Sequence, residues 1–301
     1  MASALLVGSP LVVHAEDVRT EALDAYSALE RVDALSPTDS ESAVLEDPAP
    51  ASSIEEVIVP VSPESPVVVE GEGEEISVSL PFAETSLPAE TAVAGVSVYV
   101  NAEDFSTIPL VKDDASVQFT TVINGSDSPT AYTYEFSGKT LTLESDGLVT
   151  VRAADGSLDG IIAPAWAKDA EGADVPTEYR VNGSSLTQLV KHGPQAAYPV
   201  VADPYLGKAQ IQSIGSAYRD PRGVTKVVTP TAWGRLNGNN PTAVNGLRDE
   251  WNAKAASAYR TSDMWWQLGC HAQFAPFKST WNLDSYLRRG SYGAYIANRC
   301  N

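Results

Sequence analysis

A histidine, two cations and a carboxylate lie close together near the end of the chain: His271, Lys278, Asp284 and Arg288. An imidazole oriented by a carboxylate can move protons, and a neighbouring Lys or Arg can stabilise the anion that forms. Such a set suits cleavage of a phosphodiester, so these four are candidate catalytic residues of a nuclease-like domain. The competing reading of His271 is a packed ring beside Cys270. A second set mixes rings with cations. Trp265, Trp266 and Trp281, with Arg288, Arg289 and Arg299, offer faces for sugars or bases and charges for phosphate. Trp265 and Trp266 are neighbours and point to different sides, so at least one belongs to a core.

Other chemistries are poorly served. No GxSxG pattern surrounds Ser213, Ser216 or Ser279, and no phosphate-binding glycine loop is present. Asp220, Asp249, Glu250, Asp263 and Asp284 are few for a two-carboxylate glycosidase, and several belong on solvated helix faces. One histidine with two cysteines does not make a zinc site. Asp155 and Asp159 in DGSLDG lack the spacing of a calcium loop and fit turn chemistry better. No metal and no cofactor is expected.

The elements that would position these residues follow from local pattern. Residues 205–301 form an expected small α+β domain. KAQIQSIGSAY and GVTKVVTP pair as a hairpin. Asn240 and Pro241 give an N-cap and first helical residue, and Val244, Leu247, Trp251, Ala255 and Ala258 share one helix face. Arg248, Asp249, Glu250 and Lys254 fall on the other side. Asp263 is the expected cap of a second helix with Met264, Leu268 and His271 on one stripe. Cys270 and Cys300 are the only cysteines, and in an exported chain they suggest one disulfide, with a free-thiol or metal role as the weaker alternative.

Residues 91–204 form the expected middle domain, all-β, antiparallel and sandwich-like. Tyr132, Tyr134 and Phe136 alternate, as do Leu141 with Leu143 and Val149 with Val151. Ser137-Gly138, Asp146-Gly147 and Asn182-Gly183 supply the turns between strands. Residues 16–90 are expected to be an acidic arm. A helix fits 16–34, sharing Leu23, Leu29 and Leu35 with acidic residues. From 36 to 90 the Pro/Glu-rich composition predicts a disordered, self-repelling spacer. Residues 1–15 resemble a signal peptide: Ala4–Val13 is apolar but too short to span a membrane, and Val-His-Ala offers a cleavage site after Ala15. No Lys or Arg precedes that run, which leaves room for a start codon upstream. No other stretch reads as a transmembrane helix, so no membrane span is expected in the mature chain.

Charge divides the molecule. Residues 205–301 hold 12 Lys and Arg against 5 Asp and Glu, whereas residues 1–204 hold 8 against 34. That asymmetry points to a basic module with an anionic partner, the alternative being an acidic arm that only solubilises the chain.

Two stretches carry a resemblance. The first runs from AWAKDAEG through TEYRVNGSSLTQLVKH to AYPVVADP, within 165–204. It resembles the β-rich stalk of secreted actinobacterial proteins that ends in Pro-Val-Val-Ala-Asp-Pro. The second, residues 269–301, resembles a C-terminal domain of secreted Gram-positive proteins, the domain of unknown function 2599. Its carriers are Cys270-His271, Lys278, Trp281-Asn282-Leu283-Asp284 and Cys300-Asn301. The family pattern sets an Arg and a Pro soon after the acidic residue. Here Asp284 is followed by Ser, Tyr and Leu, so Arg288 is displaced. The resemblance implies secretion and a modular layout and supplies no activity. The expectation is a secreted, cell-envelope-associated protein whose basic domain binds an anionic surface polymer. The alternative is a secreted antibacterial effector or toxin acting on nucleic acid. Nothing in the sequence sets an oligomeric state.

Overall fold

The computed structural model describes residues 15–31, 57–70, 75–93, 95–112 and 114–301. The signal-like segment up to residue 14 and the stretch 32–56 lie outside the described residues. The period-two patterns become strands of two facing antiparallel sheets. The six-stranded sheet runs in the order Val57–Ile58, Val67–Val69, Ile76–Ser79, Ala131–Phe136, Ser185–Val190 and Thr177–Asn182. The second sheet has ten strands and is centred on Val117–Ile123. Tyr134 and Phe136 from the first sheet pack with Phe119, Val149, Val151 and Leu206 from the second in one core. Alternation is clean in Ala131–Phe136, where Tyr132, Tyr134 and Phe136 are buried and Thr133 and Glu135 exposed. It fails at Leu143, which is exposed. Gly147 and Gly183 take φ of 85° and 64°, values that an Asp-Gly or Asn-Gly turn requires and a Cβ disfavours.

Two expectations about the acidic arm change. The spacer does not run to residue 90: Val57–Ile58, Val67–Val69, Ile76–Ser79 and Glu90–Val93 are strands of these sheets. Short β-branched runs such as PVVVE and EISVS bury alternate side chains, Val67, Val69, Ile76 and Val78, which offsets the surrounding proline and charge. The helix α1 (Ala15–Arg31) forms largely where expected, with a different buried face. Ala22, Ala25, Ala28 and Leu29 dock on Val98, Ile108, Leu110 and Val122 of the larger sheet, while Leu23 is exposed. Small alanines let the helix lie close to the sheet and leave Glu16, Asp17, Glu21 and Asp24 facing water.

The domain boundary also moves. Tyr205–Gly207 is a strand of the larger sheet, between Val117–Ile123 and Leu158–Ile162, so the middle domain extends past 204. The C-terminal domain begins with the expected hairpin, Ile211–Asp220 with Gly223–Pro230, and Trp281–Asp284 adds a third strand. Helices α2 (Ala232–Leu236), α3 (Pro241–Lys254), α4 (Ser262–Phe274) and α5 (Tyr292–Ala297) complete it. Asn240 caps α3 with Pro241 at its start. The cap of α4 is Thr261, whose hydroxyl accepts from Met264 N, and not Asp263. Ile211, Val228, Leu247, Trp251, Met264, Leu268, Trp281 and Leu283 form this domain's core. Cys270 in α4 is bonded to Cys300 just past α5.

The two domains share a third apolar cluster. Trp233 of α2, fully buried, packs with Ile161 and Tyr205 of the larger sheet and with Leu148 just before its strand Val149–Arg152. A Cβ on Gly207 would lie 2.3 Å from the Trp233 ring, so only glycine permits this approach. Two carboxylates of the acidic domain cap helices of the basic one. Asp114 Oδ2 accepts from Trp233 N at 2.9 Å, and Asp146 Oδ2 accepts from Thr242 N at 2.9 Å. Each anion meets the positive end of a helix. Glu250 fastens the connecting chain, accepting from Gln210 N at 2.7 Å and Ile211 N at 3.1 Å and pairing with Lys254 at 2.9 Å. Its expected place on a solvated face is thereby corrected.

Candidate functional site

Helix α4 organises the C-terminal domain, and its sequence alternates anchors with contacts. Gln267 is fully buried. Its Oε1 accepts from Asp284 N at 2.7 Å and its Nε2 donates to Asp284 O at 3.1 Å, so the amide replaces a missing strand along the edge of Trp281–Asp284. One turn later His271 is 1 % exposed, with Nδ1 2.9 Å from Gln267 O. Burial holds the imidazole below its ordinary range, with a smaller push from Lys278 against a pull from Asp284. It is a packed ring.

The candidate catalytic residues are not brought together. Asp284 is turned to Thr225, whose hydroxyl donates to Oδ1 at 2.5 Å. Lys278 is exposed on the turn beyond α4. Arg288 donates to Ser285 O and Leu287 O on its own loop and stands 4.0 Å from Asp263. Among the described residues no hydrogen bond or ion pair joins His271 to Asp284, Lys278 or Arg288.

The aromatic set is likewise divided. Trp281 has no exposed surface and donates from Nε1 to Ala275 O at 3.1 Å, which removes it from any ligand surface. Trp265 is half-buried and already faced by Arg248, 4.8 Å above its ring. Trp266 packs against Tyr295 and the disulfide cluster. Arg222 similarly lies 4.5 Å over the Tyr286 ring. The protein's own cations and core contacts occupy much of the aromatic surface that a stacked ligand would use.

The arginines, in contrast, converge. The turn at Asp220–Gly223 lies against the 285–286 segment, since a Cβ on Gly223 would lie 2.9 Å from Ser285 Oγ. Arg289 N donates to Asp263 Oδ1 at 3.0 Å, and Arg289 Nε donates to Asn301 O at 3.0 Å. These ties bring the segments that carry Arg222, Arg288, Arg289 and Arg299 together at the end of the domain where α4 begins. Arg288, Arg289 and Arg299 are exposed. Asp220 takes part of the Arg222 charge; the guanidinium beside it holds its carboxyl down to about 2. Asp263 is another carboxylate in contact, accepting also from Tyr295 at 2.8 Å. The sequence alone singles out Arg288, Arg289 and Arg299. Arg222 is not legible there, because only folding brings the hairpin turn against the 285–286 segment.

A cleft of about 500 Å³ lies at the junction of the two domains, against Trp233. Several of its charged walls are paired within the protein, Glu250 with Lys254 and Asp159 with Lys139 at 2.8 Å. Asp155 accepts from Ser157 N and Oγ as a turn residue. Among the described residues no cluster of His, Cys, Asp and Glu could hold a metal ion, and no helix is long and apolar enough to cross a membrane.

No curated protein and no solved structure matches the chain. The C-terminal resemblance has direct support: residues 216–301, from the first hairpin strand to the end of the disulfide loop, match the family described as Protein of unknown function (DUF2599).

Proposed function

We propose that the chain is a secreted, cell-envelope-associated binding protein whose C-terminal domain grips an anionic polymer through Arg222, Arg288, Arg289 and Arg299. The observation that carries this reading is the meeting, at one end of the domain, of three separate segments that carry these four arginines. Guanidinium groups suit phosphate and carboxylate oxygens because their donors are planar and paired. The disulfide supports export, since such bonds persist in oxidising compartments. A phosphate-bearing wall polymer such as teichoic acid has the required chemistry. The excess of carboxylates in the rest of the chain opposes non-specific capture of polyanions elsewhere on the molecule.

The test uses the full chain, because Trp233, Asp114 and Asp146 tie the two domains together. Co-sedimentation with Gram-positive walls, intact or stripped of teichoic acid, is compared for the native protein and an Arg288→Ala/Arg289→Ala/Arg299→Ala variant. Three exposed ion contacts at roughly 0.5–1 kcal/mol each predict a loss of about tenfold or more. Equal binding by the variant, or binding unaffected by removal of teichoic acid, rejects this polymer and this surface.

A further inference from the structure

The opposite end of α4 has a different character. Phe274, its last residue, is 51 % exposed, Phe277 is 81 % exposed and Leu236, at the end of α2, is 71 % exposed. These are the three most exposed large side chains among the described apolar residues of the C-terminal domain. They are held near one another by backbone ties. Arg235 Nη2 donates to Ser279 O at 3.2 Å, joining the end of α2 to the loop that carries Phe277. A Cβ on Gly238 would lie 2.1 Å from Ala272 O, so the chain after α2 presses on the last turn of α4. The Phe277 loop is itself fixed. Lys278 N donates to Ala275 O at 3.2 Å, and Trp281 Nε1 donates to the same carbonyl at 3.1 Å. An ordered turn therefore presents a phenyl ring to solvent.

The segments that carry these rings bear charge of one sign. Segments 235–239 and 272–281 contain Arg235 and Lys278 and no Asp or Glu. Apolar rings flanked by cations match a surface whose outer layer is anionic and whose interior is hydrocarbon. We infer that Leu236, Phe274 and Phe277 insert into an anionic lipid surface, with Arg235 and Lys278 at the headgroups. This contact is independent of the arginine end. A 13-residue α4 separates the two by about 20 Å. A protein lying against a membrane through the phenylalanines would direct its arginines away from that membrane, toward polymer above it.

The test is flotation of the full chain with vesicles of phosphatidylcholine alone or with about 30 % phosphatidylglycerol, a composition that carries the surface charge invoked. The native protein floats with the anionic vesicles and stays behind with the neutral ones. Phe274→Ser with Phe277→Ser removes two exposed rings, leaves the core intact and lowers partitioning about tenfold or more. The triple arginine variant still floats. Absence of flotation by the native protein, flotation by the double phenylalanine variant, or loss only in the arginine variant each overturns the inference. Sedimentation velocity adds one more outcome: a dimer abolished by the phenylalanine substitutions would show that a second copy covers this surface, which also overturns it.

Discussion

The sandwich and the C-terminal domain solve the same problem with different means. Two sheets press Phe119, Tyr132, Tyr134 and Phe136 between them, so the sandwich needs no cross-link. The C-terminal domain has three strands on which to lay its helices, and it adds the Cys270–Cys300 bond and the Gln267 clasp on an edge strand. Small domains bury a smaller share of their surface and gain more from such devices. The contrast extends to charge. Asp114 and Asp146 of the acidic domain sit at helix N-termini of the basic one, so part of the charge division is spent on joining the halves. The lesson is that the C-terminal domain depends on its neighbour, while its far end is left free.

The largest way to break that dependence is Trp233→Ala. Loss of a fully buried indole at the junction is expected to cost about 3–5 kcal/mol. Denaturant unfolding followed by tyrosine and tryptophan signals should resolve into two transitions, the C-terminal domain melting first. A single transition at the native midpoint would mean that the junction contributes little.

Removing the disulfide should sharpen the comparison. Cys270→Ala with Cys300→Ala opens a loop of 30 residues, worth about 3–4 kcal/mol in the chain-entropy account. Hydrogen exchange should quicken in α4 and α5 and remain unchanged in Val117–Ile123 and Ala131–Phe136. Equal loosening of the sheets would contradict the division of labour drawn above.

The smallest effect is a difference in sign with pH. His271 is held below its ordinary value of 6.5, chiefly by burial. The unfolded chain therefore binds the proton more readily, so C-terminal stability is full above that value and falls as the medium becomes more acidic. Asp203, in the sandwich, is pushed well above its ordinary 3.8 by burial. There the folded state holds the proton, and stability falls as pH rises past the ordinary carboxylate range. Exchange of α4 amides and of sheet amides across pH 4–8 should trend in opposite directions. Asp203→Asn should flatten the sheet trend and leave the α4 trend in place; parallel trends in both domains would reject the assignment.

Much of this architecture is legible in the sequence. The alternation at Tyr132, Tyr134 and Phe136, the hairpin before Thr231 and the Asn240-Pro241 helix start are local signals with local causes. The strands between 57 and 93 were hidden because short runs of valine and isoleucine are embedded in proline and glutamate, and composition averages them away. The alanine face of α1 was hidden for a related reason, since small residues give little hydrophobic signal. The site is less legible than the fold. Sequence proximity grouped His271, Lys278, Asp284 and Arg288, yet the first is a packed ring, the second lies on a turn and the third bonds Thr225. Arg288, Arg289 and Arg299 are legible as a cationic set, whereas Arg222 joins them only through the contact of the hairpin turn with the 285–286 segment.

The central claim is that the arginine end holds a polyanion by charge, and a salt series tests it most directly. Binding of the full chain to purified teichoic acid is measured from about 50 to 200 mM salt, a range over which multi-contact polyanion binding weakens steeply. The account predicts a linear fall of log affinity with log salt, and a shallower slope for the Arg288→Ala/Arg289→Ala/Arg299→Ala variant. Affinity independent of salt, or identical slopes for the two proteins, would contradict it.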